Sequence, residues 1–247
     1  MSEYGSGADY DAQYDALYEP EIRYLTTLAL KQQGAILDLC CGTGIVTIPL
    51  AATGLEVVGV DISPAMLEHA KAKAASRSNP KFYLQDALEF DTAQRFGLAL
   101  MTGNAFQAFL SENRIKALLG TVYKHLEPGA VFIFDTRLPE GYDFTLDDDF
   151  RLWSEYEDGS GKFVRSLVKQ AAFDAERGIL RFEFKDVYED GAEQRSSEDL
   201  KFTTLDAILK LVRDAGFEVV GQYQNWRLEP LQADPAAMVL ELKKPAS

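Results

Sequence analysis

The sequence is poor in cysteine, histidine and positive charge, and each shortage closes off a class of function. Its 247 residues include two cysteines, the neighbours Cys40 and Cys41, which can build neither a disulfide framework nor a four-thiolate zinc site. Two histidines, His69 and His125, are too few for a histidine-built metal centre, so no metal is expected. Lys and Arg number 25 against 39 Asp and Glu, a formal net charge of −14. So acidic a surface opposes a nucleic-acid backbone as partner, because a polyanion needs a basic face. Long apolar runs are also missing. No window approaches the ~20 apolar residues of a membrane span, and residues 1–11 are polar without a basic start. A cytoplasmic protein with no membrane partner is expected, and adjacent free thiols suit a reducing compartment.

What is present is the composition of a folded chain, 47% hydrophobic, long enough to bury a proper core as one large domain. From Ala35 to Asp135, short apolar runs alternate with amphipathic stretches. The runs are Ala35–Leu39, Leu55–Val60, Lys81–Leu84, Phe96–Met101 and Ala130–Phe134. Between them, apolar residues recur at helical spacing, as in Ile115, Leu118, Leu119, Val122 and Leu126. This pattern predicts an α/β fold, a doubly wound, Rossmann-like and mostly parallel sheet with helices on both faces. After Pro139 the pattern becomes β-rich, with hairpin turns at 158–161, 176–178 and 189–191. That segment reads as a small antiparallel insertion covering the sheet. A helix from Thr204 to Ala215 and two strands, Phe217–Tyr223 and Met238–Leu242, close the chain.

The chemistry is concentrated in Asp38-Leu39-Cys40-Cys41-Gly42-Thr43-Gly44, at the end of the first strand, where open α/β sheets bind ligands. Gly42 and Gly44 let the backbone approach a ligand closely. Asp61 ends the next apolar strand 17 residues after Gly44, about the spacing of a carboxylate that accepts hydrogen bonds from two ribose hydroxyls. Ile62 follows it where a 2′-phosphate would require Arg or Lys. A dinucleotide fingerprint needs a third glycine, and the run Gly42-Thr43-Gly44-Ile45-Val46-Thr47 lacks it.

The loop instead resembles the acidic-x-G-x-G-x-G loop of class I S-adenosylmethionine-dependent methyltransferases, with Cys40 at the first glycine. Val57–Leu67 is similar to the second-strand motif of that family, Gln85-Asp86-Ala87 to its adenine contact, and Leu126-Glu127-Pro128-Gly129-Ala130 to its L-x-P-G-G turn. The resemblance implies a seven-stranded sheet, S-adenosyl-L-methionine as cofactor and S-adenosyl-L-homocysteine as product. It assigns Asp38 to the cofactor's ammonium, Cys40, Gly42 and Gly44 to the loop, and Asp61 to the ribose. Ile62, Met66, Asp86 and Ala87 would surround the adenine, and Thr102 would border the cofactor at the end of the fourth strand. Tyr10–Tyr18 looks like the helix that closes over the cofactor in small-molecule members, which gives Tyr14 and Tyr18 a lid role. Within a single domain 1–247, residues 1–33 would then be a helical lid, 34–139 the cofactor core, 140–203 the cover and 204–247 the closing helix and hairpin.

Asn104, Phe106 and Gln107, with Trp153 of the insertion, are the candidate acceptor pocket. The Pro-Pro-aromatic motif of amino-methylating DNA and glutamine enzymes is absent, as is a Pro-Cys nucleophile. With the negative charge, this favours a small-molecule acceptor, and the shortage of histidine bases tilts the expectation to nitrogen over oxygen. A monomer or homodimer is expected, and no catalytic residue is assigned. The rival readings are a nicotinamide-dependent oxidoreductase and a non-catalytic cofactor-binding module. Structural alternatives stand beside the site residues: Asp38 bonding loop amides, Asp86 capping a helix, Cys40 and Cys41 packed as small residues, Tyr10, Tyr14 and Tyr18 as a packing stripe. His69 reads as part of a solvated helix face, His125 as a cation at a helix C-terminus, Asp147–Asp149 as a solvated loop. Trp153, Tyr156 and Trp226 read equally as packing aromatics or pocket walls.

Overall fold

The computed structural model describes residues 6–74 and 80–246. The chain opens with α1 (Gly7–Tyr14), a 3₁₀ turn (Asp15–Tyr18) and α2 (Glu19–Ala29). A βα alternation follows: β1 (Ala35–Leu39), α3 (Thr47–Ala51), β2 (Val57–Asp61), α4 (Pro64–Ala74), β3 (Lys81–Leu84), β4 (Phe96–Met101), α5 (Glu112–His125) and β5 (Leu126–Arg137). Four antiparallel strands come next, β6 (Arg151–Glu157), β7 (Phe163–Asp174), β8 (Ile179–Tyr188) and β9 (Glu193–Lys201). Helix α6 (Leu205–Asp214) and strands β10 (Glu218–Tyr223) and β11 (Ala237–Lys243) complete the chain.

The main sheet has seven strands in the order β10-β11-β5-β4-β1-β2-β3. Strands β1 to β5 run parallel, while β11 and β10 are antiparallel to their neighbours. Central strands β1 and β4 are buried along their whole length, as expected of strands with helices on both faces. Strand order reverses between β1 and β4, and the crevice at their carboxyl ends is where such sheets hold ligands. One face packs Leu37, Val58 and Phe132 against Leu118 of α5 and Ile208 of α6. The other packs Ile36, Leu98 and Ile133 against Leu25 and Leu28 of α2 and against Trp226. The second sheet, β6-β7-β8-β9, forms its own cluster around Leu180, Phe182 and Leu200.

Several local readings change. The N-terminal stripe is two helices broken by the 3₁₀ turn, so Tyr10 and Tyr14 lie on α1 and Tyr18 does not. The crossover after β1 holds only a five-residue helix, because Thr43–Val46 are spent on the loop. His125 is fully buried. Its Nδ1 faces the Thr121 carbonyl at 2.8 Å, and its Nε2 lies 3.2 Å from the Thr92 amide and 3.3 Å from Asp91 Oδ1. His69 pairs with Asp11 at 2.8 Å instead of facing solvent. Asp147 accepts from the Gln170 amide and so pins its loop to β7.

Candidate functional site

Three strands of the main sheet end in carboxylates around one loop. Asp38 stands one residue before the end of β1, Asp61 ends β2, and Asp86 follows β3; all three act electrostatically on the Cys40 thiol between them. Cys40 itself holds φ +56°, beside Gly42 at +52° and Gly44 at +76°. A cysteine therefore adopts the left-handed backbone that the first glycine would supply, at a cost of roughly 1–2 kcal/mol. Burial pushes both thiols up, which makes them poor nucleophiles.

Asp61 shapes the loop directly. Its Oδ2 accepts from the Gly42 amide and its Oδ1 from the Ser63 amide, each at 2.8 Å. A carboxylate has about four acceptor positions, so two remain for a ligand's hydroxyls. Beside it, Ile62 is 67% exposed and presents an apolar face next to the carboxylate. Met66 is buried beneath, its amide 3.4 Å from the Ser63 hydroxyl.

Asp38 is only 2% exposed and accepts from Thr47 at 2.5 Å. Burial pushes its carboxyl up to about 7 against the lowering effect of the Thr47 bond, and the Asp61 charge raises it further. A buried acid under such pressure is relieved by a cation. Asp86 accepts from the Leu88 amide at 2.9 Å and lies 3.7 Å from Arg114, so it caps the turn that holds buried Ala87.

Helix α1 meets this loop through Asp11, a residue that no local motif marks. Asp11 of α1 accepts from Thr43 of the loop and faces His69 Nε2 at 2.8 Å and Lys73 Nζ at 2.6 Å, both on α4. Contact is so close that a Cβ on Gly7 would come within 2.5 Å of the His69 Cβ. Tyr18 bonds Tyr10 at 3.2 Å, and a Cβ on Gly103 would fall 2.2 Å from its hydroxyl. Burial pushes the Tyr18 phenol far up, reinforced by Tyr10, Asp135 and Glu21. Tyr14 receives a bond from Trp153 Nε1 at 3.2 Å, which ties α1 to the second sheet.

After β4, Thr102 leads into Gly103 and Asn104, both left-handed at φ +70° and +58°. The Asn104 amide donates to buried Asp135 at 2.9 Å, and Trp226 donates to the other Asp135 oxygen at 3.2 Å. Burial pushes Asp135 up to about 6 against those two bonds, and pushes Glu21, next to it, up to about 7. Glu21 Oε2 is buried and has no hydrogen-bond partner among the described residues. Nothing in the local sequence marks this carboxylate pair, because its members are 114 positions apart. Of the proposed pocket residues, Phe106 is 2% exposed and stacks on Phe134 at 4.4 Å. Gln107 is fully buried and donates to the Lys201 carbonyl of β9. Both support the site from beneath; Asn104 and Trp153 are the members with exposed or half-buried surface. A recess of about 780 Å³ near the loop lies between Ile22 and Arg23 of α2 and Gly44, Ile45 and Ile48, without Asp61 in its lining. Among the described residues no cluster suits a metal ion.

Residues 36–129 match a family described as a methyltransferase domain. Those residues carry the glycine loop, Asp61 and Asp86, so the crevice lies within the methyltransferase domain. A putative methyltransferase of Bacillus subtilis, YqeM, is 33% identical to this chain over 109 residues, 43% of this chain and 44% of that protein. A glycine/sarcosine N-methyltransferase of Aphanothece halophytica is 28% identical over 228 residues, 87% and 78% of the two chains. The chain thus spans about half the length of the first of these relatives. Among solved structures, the methyltransferase CcbJ of Streptomyces caelestis superposes with a TM-score of 0.82 at 23% identity, covering 99% of both chains. That likeness includes the second sheet as part of the fold. Among the described residues no helix is long and apolar enough to cross a membrane.

Proposed function

We propose that this methyltransferase moves the methyl group of S-adenosylmethionine onto a nucleophile of a small molecule, with nitrogen preferred. The observation that carries the reading is the charge of the cofactor crevice: Asp38, Asp61 and Asp86 surround the loop. An anionic pyrophosphate would be repelled there, whereas a cofactor carrying an ammonium and a sulfonium is attracted. Residues present fit that group. Asp61 has lone pairs for two ribose hydroxyls, Ile62 offers an uncovered apolar face to a purine, and Asp38 lies buried where a cation would offset its charge. Gly42 has open space within 4 Å of where a Cβ would be, so the loop amides are approachable.

When bound, the cofactor supplies an already activated methyl group. What the chain must then do is align the acceptor and exclude water. Tyr14 and Tyr18 form the lid side of that enclosure, and Asn104, Trp153 and Thr102 the acceptor side. The Tyr18 phenol keeps its proton, so it serves as a hydrogen-bonding wall and not as a base. An amine that arrives neutral needs no base; for a proton-bearing acceptor, the groups beside Tyr18 that titrate near neutrality are Glu21 and Asp135. Nitrogen is supported by the names of relatives and fold neighbours, among them a glycine/sarcosine N-methyltransferase, a cypemycin N-terminal methyltransferase and a sugar N-methyltransferase. Calorimetry with S-adenosylmethionine, S-adenosylhomocysteine and NAD tests the cofactor. Binding of NAD with none of the sulfonium or its product would overturn the reading. A labelled-methyl screen across amines, carboxylates and phenols tests the acceptor class.

A further inference from the structure

The second sheet carries a polar stripe where its fold has no need of one. One end of its covered face is apolar, with Val168, Leu180, Phe182 and Phe184. Toward the other end, Ser154, Ser166, Asp186 and Gln194 stand in register, one on each strand from β6 to β9. Burying polar groups on a sheet face costs free energy that an apolar row would not. Ser166 is 3% exposed and bonds to Asp186. Opposite the stripe lies α1, whose Asp9 and Tyr10 close a recess of about 40 Å³. Among the described residues lining that recess none is basic, and two carboxylates, Asp9 and Asp186, share it. Burial holds Asp186 above the usual carboxylate range and Asp9 adds to the shift. The recess has room for a charged head group but not for a whole sugar or nucleoside. Tyr10 lines it and also bonds Tyr18, which sits on Gly103 at the end of β4. An occupant would therefore touch the same helix that closes on the cofactor loop through Asp11.

We infer that this recess is a binding subsite for an ammonium group of the acceptor, held between Asp9 and Asp186, and that the atom so held is not the one methylated. An ammonium between two carboxylates has no lone pair to attack with and is stabilised in its charged form, so the nucleophile must be a second group of the same molecule. The subsite selects small molecules that carry a cation at a distance from the reacting atom. It rests on the methyl-transfer reading only in naming the occupant an acceptor.

The test uses the full chain saturated with S-adenosylhomocysteine and four probes: 1,3-diaminopropane and 1,4-diaminobutane as dications, propylamine as a monocation and 4-aminobutyrate as a zwitterion. Hydrogen exchange of residues 7–14 and of β8 is followed at low salt, in wild type and in Asp186→Asn, an isosteric change that keeps an acceptor for Ser166. Diamines are expected to slow exchange on both segments in wild type by tenfold or more, with the effect lost in the variant, while 4-aminobutyrate does little. For any diamine the enzyme methylates, the variant should raise KM tenfold with kcat kept. Equal protection in wild type and Asp186→Asn, or protection by 4-aminobutyrate as strong as by the diamines, overturns the inference. If Asp186→Asn does not fold, Asp9→Asn is read by the same criteria. Calorimetry with S-adenosylhomocysteine separates the two readings: absent binding removes the methyltransferase proposal, while the exchange experiment, repeated without it, still decides the subsite.

Discussion

Asp61 organises the crevice at the residue scale, because it joins the glycine loop to the start of α4 through two backbone amides. Replacing it by Ala should weaken cofactor binding by about 1.5–3 kcal/mol, the range of lost charge-assisted hydrogen bonds, and calorimetry with S-adenosylhomocysteine measures this. Asp38 makes a different prediction. Its carboxyl is pushed to about 7 in the ligand-free protein, and a bound cation would lower it. Below pH 7, binding must then displace a proton, so affinity should fall by up to about tenfold per pH unit from 7.5 to 5.5. Asp38→Asn should bind more weakly and lose the slope; a slope unchanged in the variant would place the titrating group elsewhere. Glu21 acts on stability. Burial raises its folded value to about 7 from 4.5, so the folded state binds the extra proton between those limits. Its contribution is fully present below 4.5 and is lost as pH rises through 7. The melting temperature of Glu21→Gln relative to wild type should therefore climb across pH 4.5–7.

At the scale of elements, α1 is the part whose role depends most on contacts. Ser6 caps it, accepting from the Asp9 amide, but eight residues form a marginal helix in isolation. Asp11 docks it onto Thr43, His69 and Lys73, and Gln13 and Tyr14 attach it to Ser154 and Trp153 of β6. Asp11→Ala should speed hydrogen exchange of residues 7–14 by on the order of tenfold, since part-buried charge-assisted bonds contribute about 1.5–3 kcal/mol. The main sheet should exchange as before. Tyrosine spacing makes a helical stripe legible here, yet the 3₁₀ break that separates Tyr18 from the stripe and sets it on Gly103 is invisible in that spacing. The strands behave otherwise. The runs at Ala35–Leu39 and Phe96–Met101 stand where the apolar pattern puts them, because a strand buried on both faces needs apolar residues at nearly every position.

Taken as a whole, the molecule joins two sheets through few polar ties. Gln107, between β4 and α5, donates to Lys201 of β9 and accepts from Arg137 of β5, so it links the main sheet to the second sheet. Gln107→Ala would leave a buried carbonyl unpaired at a cost of about 1–3 kcal/mol, measurable by urea denaturation. Trp226 lies in the core and Trp153 on β6, so fluorescence of wild type and Trp153→Phe should unfold at one midpoint if core and cover melt together. The sequence by itself determined the parallel core, the glycine loop with its following aspartates and the antiparallel nature of the insertion, since these rest on local periodicity and on residues close together in the chain. Tertiary structure alone decided that Asp11 grips the loop, that Glu21 lies beside Asp135, that Phe106 and Gln107 turn inward, and that a polar stripe faces Asp9. Each of these depends on which surfaces meet when distant segments pack. Burial and charge proximity are properties of that meeting, and no local pattern encodes them.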